Sequence, residues 1–518
     1  RVVARDRYVN GINGEFLCVK GRFGHPFVNH EARLRTPLIR YRKGAKLVPA
    51  TWDEAIRHVA QKLDAIAEAH GPNAIGVVGS PRLTNEANYL LYKFATELVG
   101  TENFSAAEAF TLKPFFDNLG GQLATHHDIR HAKTILLIGG EPEELQPLTG
   151  KQIRQAVRNG DAKLAVINSV PIRLIEQASH FIHISRGSED AVVLALAGNA
   201  DDDAAIQAMG VEQGALDRLR QIINETAGDL VVMFGGELSA AAQAVMAQLP
   251  HHWSSDVRRV LLHPLPLYNN SVGVHDMGLM GGNVVVANLL SVAGEKVRAL
   301  YVAGSLQRVD LAAHPDALAK LDFLIVQELF ETETTAFADV VLPAASFAEI
   351  DGTFTNNDGL VQRVRASISP LHQAKPDWVI TAQLATELGV DFGFQMSATA
   401  VFNEIAAKVP AYAGLRYPSL KDESRPVQVK HSLAEKRDVS AEIQEVRRRI
   451  AALPRGGSKL LATPDVGHEL FKIGTLTDKV PQFHLLASGN PRPETVHISP
   501  LYQITVDARA RREEAIAN

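Results

Sequence analysis

A single cysteine, Cys18, stands among 518 residues, which excludes a disulfide framework and fits a reducing compartment such as the cytoplasm. Long apolar runs are missing too. The richest, residues 134–140 and 284–292, fall well short of the roughly 18 to 20 apolar residues that span a bilayer, so no transmembrane segment is expected. No basic stretch followed by an apolar one opens the chain, so no secretory signal is read there. Excess positive charge is absent: 53 Lys and Arg against 58 Asp and Glu give a net charge of −5. The basic residues are scattered, which leaves no electrostatic footprint for nucleic acid. Neither a Gly-x-Ser-x-Gly elbow nor a Walker loop occurs, which removes support for acyl and phosphoryl transfer. No tandem repeat of fixed period is visible. The sequence opens on Arg1 rather than Met, and the expectation is that a portion precedes it.

What is present has the balance of folded domains, 46% hydrophobic and 21% charged. Its length exceeds what one hydrophobic core serves, so two or three domains are expected. Residues 1–50, rich in Arg, Gly, Asn and Pro, read as a small β or loop-rich region. Thr51 and Glu54 form a Ser/Thr-x-x-Glu capping box, and Trp52, Ala55, Ile56, Val59, Ala60 and Leu63 follow at helical spacing, predicting a helix over 51–69. A buried strand over 74–79 and a helix over 85–99 come next. The alternation continues with strands at 134–138, 163–167 and 181–184 and helices at 147–158 and 189–196. A second series has strands at 229–233, 260–263, 298–302 and 323–326 and a helix at 239–248. This order describes an α/β fold with two doubly wound parallel-sheet units, placed at 51–228, discontinuous with the C-terminal part, and at 229–415. From 416 to 518 the pattern weakens, apart from a charged helix near 440–450, and predicts a peripheral, partly extended tail.

Cys18 is followed by Lys20, Gly21, Arg22 and Gly24. Cationic neighbours stabilise a thiolate, and glycines let amides approach the sulfurs of a cluster, although a lone cysteine is as readily an inert core residue. A second conspicuous stretch, 322–334, is an apolar run that ends in Glu331-Thr332-Glu333-Thr334, with 338–344 and 349–356 after it. Strand ends of this kind are where doubly wound sheets place ligands. Thr332, Thr334, Thr353 and Asn356 serve equally well to satisfy turn backbone groups. His126, His127 and His131 lack Cys or acidic partners at ligand spacing and are assigned no metal.

The segments Cys18-Val19-Lys20-Gly21, 29–40 and 51–56, together with Thr332-Glu333-Thr334, Ala338-Asp339-Val340-Val341-Leu342-Pro343 and Gly352-Thr353-Phe354-Thr355-Asn356, resemble the molybdopterin oxidoreductase superfamily. The resemblance covers about four-fifths of the chain. It implies that Cys18 is the fourth ligand of a [4Fe–4S] cluster whose other ligands lie upstream, and that Lys20 is the lysine between cluster and pterin. Residues 270–282, with Asp276-Met277-Gly278, resemble the superfamily's glycine-rich loop. Asn168-Ser169-Val170 stands where that superfamily has Asp-Pro-Arg, which puts pterin-nucleotide binding in doubt.

Within the superfamily the wording of 11–18, with Gln152-Ile153-Arg154, looks most like the large iron–sulfur subunit of NADH–quinone oxidoreductase, respiratory complex I. That resemblance implies an electron-transfer and scaffold subunit with no substrate site of its own. It also implies further iron–sulfur clusters in an upstream region. Its partners would be the other peripheral-arm subunits, the flavin subunit among them, on the cytoplasmic face of the inner membrane. Molybdopterin is expected to be absent. The loop where superfamily members hold a metal ligand, 101–110, contains no Cys and no Arg; Ser105 is a conceivable oxygen ligand there, but with Glu108 it fits a helix capping box. The alternative is a molybdenum- or tungsten-pterin oxidoreductase such as a formate dehydrogenase catalytic subunit.

Overall fold

The computed structural model describes residues 2, 13, 15–108, 110–197, 203–281, 285–394, 397–421 and 426–453, without the side chains of Val19 and Lys20. The last part of the expected tail, 454–518, lies outside the described residues. The helix Trp52–His70 starts as its capping box dictates. Thr51 Oγ1 accepts the Glu54 amide at 3.2 Å and Glu54 Oε2 accepts the Thr51 amide at 2.8 Å, so two otherwise orphaned donors are satisfied reciprocally. Its apolar stripe of Ala55, Ile56, Val59 and Leu63 is buried with Ile75, Val77, Tyr301 and Ile325 of the neighbouring sheet.

That sheet has seven strands. The chain first lays down β1 (Leu38–Ile39), β2 (Val48–Pro49), β3 (Ile75–Gly79) and β4 (Phe104–Ala106). It then makes β5 (Thr134–Ile138), β6 (Lys163–Asn168), β7 (His180–His183), β8 (Leu230–Phe234) and β9 (Val260–Pro264). Finally it returns with β10 (Ala299–Ala303), β11 (Phe323–Glu328) and β12 (Val340–Pro343). The seven-stranded order is β2-β1-β12-β11-β10-β3-β4, parallel except where β1 and β2 close one edge. The second sheet, β7-β6-β5-β8-β9, is wholly parallel. Strands buried on both faces need apolar residues at every position, and β3, β5 and β8 are buried along their whole length.

The boundary expected at residue 229 runs through this second sheet. β8 pairs with β5 in register from Thr134–Leu230 to Ile138–Phe234, so residues 230–264 join 134–183 and only β10 to β12 return to β3. Alternating periodicity reports the order of strands and helices, whereas the choice of neighbour is a long-range matter. Thr353, expected at a turn, lies in β13 (Gly352–Thr355), which pairs with β14 (Leu360–Val364) and, through it, with β15 (Val427–Gln428) in a small antiparallel sheet. Within the expected tail, the helix Ser440–Ala451 buries Val446 and Ile450 in the core of the five-stranded unit. Four residues apart, they share one helix face. No helix among the described residues is long and apolar enough to cross a membrane.

The leading segment is bound to the seven-stranded sheet by Arg33 and Glu349, whose side chains are 1% and 0% exposed and 3.0 Å apart. Arg33 also donates to the carbonyls of Val28 and Ala344, and Glu349 accepts from the amides of Ser346 and Leu371. Removing one member of such a pair strands a buried charge, which costs about 3–5 kcal/mol. Arg33→Met is therefore expected to lower unfolding stability by about that amount in guanidinium titrations. Arg33→Met/Glu349→Gln should recover part of the loss, and an unaltered midpoint for Arg33→Met would show that the pair does not hold this segment.

Candidate cofactor site

Parallel strands deliver all their carboxyl ends to one edge of a sheet, where ligands of doubly wound folds bind. At that edge of the seven-stranded sheet, the turn after β3 supplies Arg82, the turn after β10 supplies Ser305 and Gln307, and the turn after β11 supplies Thr332 and Thr334. Together they line a cavity of about 420 Å³. A second cavity of about 390 Å³ is lined by Phe27, Gly304, Glu328, Ser346 and Asp377, and Arg82 borders both. Arg82 Nη2 lies 3.7 Å from Glu328 Oε2 and 3.4 Å from the Ser305 carbonyl. Ser305 Oγ lies 2.8 Å from Glu328 Oε2 and 2.8 Å from Thr332 Oγ1. The guanidinium is thus held at the junction of the cavities by a buried carboxylate.

Asp377, the first residue of the helix Asp377–Glu387, is 6% exposed and faces the second cavity. Its Oδ1 accepts from Gln327 Nε2 at 2.8 Å, and Gln327 Oε1 accepts from the Tyr301 hydroxyl. Burial, with the Glu328 charge adding to it and Arg82 opposing, pushes the Asp377 carboxyl up to about 7. Ser346 Oγ is buried without a hydrogen-bond partner among the described residues, an arrangement that leaves a polar atom free for a ligand.

The residues singled out in the sequence fall in several places. Cys18 is a half-buried free thiol whose Sγ accepts the Gly21 amide at 3.4 Å. The Lys20 side chain lies outside the described residues. Thr332 caps the helix Glu333–Phe337, Thr334 Oγ1 accepts the Leu306 amide, and Asn356 Oδ1 accepts the amides of Asp358 and Leu360. The threonines therefore combine a folding role with a place in the cavity wall. Ser105 caps no helix; it lies buried in β4, paired with Val78 of β3. A strand rather than a helix follows the turn at 101–103, so the capping-box spacing there has no helix to start. Asn168 ends β6 and ties it to β5 through its Nδ2, which donates to the Gly140 carbonyl at 2.9 Å. His126 bonds Thr149 and His131 bonds the His127 carbonyl, and no group of three potential ligands arranged for a metal occurs among the described residues. Arg82, Ser346 and Asp377 were not anticipated. Arg82 left a signal, a cation just past a fully apolar strand, whereas Asp377 looks like any helix start after a proline.

Residues 33–387 match the family described as molybdopterin oxidoreductase. The chain belongs to the molybdopterin oxidoreductase family. Among its relatives, a putative formate dehydrogenase of Bacillus subtilis, YrhE, is 27% identical over 485 residues, covering 79% of this chain and 49% of that protein. The alpha subunit of a formate dehydrogenase of Methanococcus maripaludis is 30% identical over 482 residues, covering 79% of this chain and 70% of that subunit. The chain thus spans about half the length of the Bacillus relative. Acetylene hydratase from Pelobacter acetylenicus shares the fold, with a TM-score of 0.61 at 14% identity over 83% of this chain and 70% of that one.

Two expectations are corrected by these relationships. The reading as a component of complex I gives way, because the matched relatives carry formate dehydrogenase names. The expected absence of molybdopterin gives way with it, because the family is defined by that cofactor. Both errors came from giving weight to the wording of 11–18 and 152–154 and to local departures at 101–110 and 168–170, where Ser105 is a strand residue of β4 and Asn168 ties β6 to β5. The expectation of a chain without a substrate site finds no support either.

The raised Asp377 carboxyl gives a pH test. A group whose folded value lies above its unfolded 3.8 contributes stability that is fully present below about pH 4 and lost as pH rises through about 7. This group alone accounts for a slope of up to about 1.4 kcal/mol per pH unit in that window. Asp377→Asn, which keeps an acceptor for Gln327, is expected to flatten that part of the profile in urea titrations between pH 4 and 8. An unchanged slope would mean that Asp377 stays ionised throughout.

Proposed function

We propose that this chain is the pterin-binding core of a formate-oxidising enzyme of the molybdopterin oxidoreductase type. The observation that carries the reading is the pair of polar cavities sharing Arg82 at the carboxyl edge of the seven-stranded sheet, in a chain whose relatives are named formate dehydrogenases. The residues fit a large polar heterocycle. Gly304 has φ +82°, and a Cβ there would press to 3.2–3.3 Å from Ser80 and Arg82, so only glycine lets this turn lie beside the guanidinium. Ser346 Oγ offers an unused buried polar atom. Ser305, Gln307, Thr332 and Thr334 add donors and acceptors around the first cavity.

When bound, the molybdenum- or tungsten-pterin group supplies the acceptor for the two electrons released as formate becomes carbon dioxide. The chain's own residues bind and position. Arg82, held by Glu328, presents a fixed cation to an anionic group in either cavity. Asp377 holds a proton at Oδ2 below about pH 7 and accepts one above it, which suits a group near an oxidation that releases a proton. Phe27 and Phe347, with ring centroids 5.9 Å apart, give the second cavity an apolar wall that limits water. Cys18, with an amide already directed at its sulfur, is proposed as one ligand of a [4Fe–4S] cluster.

Protein purified after expression with ample molybdate, tungstate and pterin supply is expected to carry metal by mass spectrometry and to reduce viologen dyes with formate. Arg82→Ala should lower formate-dependent reduction by about 10²-fold, the scale of losing a charged positioning group. Absence of both metal and formate activity would overturn the reading. In protein that carries the upstream region expected to supply the other ligands, Cys18→Ala should remove one cluster signal from the electron paramagnetic resonance spectrum of the reduced state, and an intact spectrum would return Cys18 to a structural role.

A further inference from the structure

The five-stranded sheet has a carboxyl edge of its own, and its strand order places a crevice there. From β5 the chain moves outward through β6 and β7, then returns to build β8 and β9 on the other side, so crossovers leave β5 and β8 in opposite directions and open a cleft between their ends. Both ends are glycines. Gly139 and Gly140 follow β5 at φ +63° and +69°, and Gly235 and Gly236 follow β8. Consecutive amides at such a turn form a seat for the oxygens of an anion.

That seat is taken by a side chain of the same protein. The Gly140 amide donates to Glu237 Oε1 at 3.0 Å. A Cβ built on Gly139 would lie 2.7 Å from Glu237 Oε2, and one on Gly235 would lie 2.0 Å from the same oxygen, so the carboxylate fills the space over both glycines. The residue as a whole is exposed, while burial of its carboxyl in the seat pushes that group above its ordinary value. Burial raises the carboxyl of the neighbouring Glu189, and the Glu237 charge adds a smaller push in the same direction. A carboxylate of the chain itself thus occupies a seat shaped for an anion. Asn168 does not compete for it, since its side chain is turned to the Gly140 carbonyl.

We propose that Glu237 is a built-in placeholder for the anion seat between β5 and β8, and that a nucleoside diphosphate enters this crevice only by displacing its carboxylate from the Gly140 amide. The inference rests on the reading above, in which the nucleotide half of a pterin dinucleotide is the natural occupant. Guanosine diphosphate alone serves as the probe, so the seat and the enzyme's activity are tested separately.

Isothermal titration of the full chain, freed of cofactor, with guanosine diphosphate measures the effect. Glu237→Ala, which empties the seat and removes one charge, is expected to bind about tenfold more tightly than the parent, in line with the strength of a charge-assisted amide contact. Glu237→Gln keeps the shape without the charge and should gain about threefold if repulsion contributes, which keeps the test open should the alanine variant fold poorly. Hydrogen exchange adds a readout independent of affinity: the Gly140 amide should lose protection in Glu237→Ala and regain it with the nucleotide. Equal affinities for parent and both variants, or a Gly140 amide indifferent to the substitution and to nucleotide, would overturn the placeholder even if formate oxidation is established.

Discussion

Much of the site depends on a buried ion pair that would be a liability on its own. Two charges withdrawn from water lose several kcal/mol of solvation each, and only further hydrogen bonds make the arrangement sustainable. Arg33 and Glu349 meet that condition by gathering the carbonyls of Val28 and Ala344 and the amides of Ser346 and Leu371 around one contact. The leading segment, the end of β12 and the following turn are thereby fixed to one another. Phe27 and Ser346, which flank this node, are two walls of the second cavity, so the shape of the site inherits its rigidity from the pair.

A second polar cluster does similar work behind the sheet. Glu86, fully buried, accepts from the Thr353 amide, the Thr353 hydroxyl and the Tyr417 hydroxyl, and burial pushes its carboxyl up to about 7. Asn85 donates to Thr353 and Thr355, and Asn270 Oδ1 accepts the Thr355 amide while its Nδ2 donates to the Leu83 carbonyl. Tyr412 joins Thr355 to Asp276, which His431 also contacts at 2.9 Å. In a low-dielectric interior such a network is stable only when its members are satisfied together. The glycine-rich stretch around Asp276 thus has a structural role in binding β13 to the helix Asn85–Lys93.

The sequence carried the local elements well. Thr51, Glu54 and the stripe from Trp52 to Leu63 predict their helix because capping and periodicity act over a few residues, and the apolar runs of β3, β5, β8 and β11 are equally local signals. It did not carry the pairing of β8 with β5, or the fact that Ser105 is a strand residue, because both are decided by distant partners. Asp377 and Glu86 were invisible for the same reason: an acidic residue near a helix start reads as solvated until the elements that bury it are in place. The family was legible in its motifs. The branch within the family was misjudged because the wording of 11–18 and 152–154 was given weight and two altered segments were read as loss of the cofactor, one of which holds Asn168, the residue that ties β6 to β5.

The interruption of the seven-stranded sheet by the five-stranded one has a consequence for the nascent chain. β3 finds one neighbour early in β4, but its other partner, β10, is made only after the whole of β5 to β9 has been produced. At roughly 5–20 residues per second of translation, the open edge of β3 waits on the order of tens of seconds. All the strands of the five-stranded sheet come from one continuous stretch and can pair as they emerge. The host sheet is therefore the later to close and the more exposed to aggregation or to a chaperone on the ribosome, although its first strands are the earliest to be synthesised.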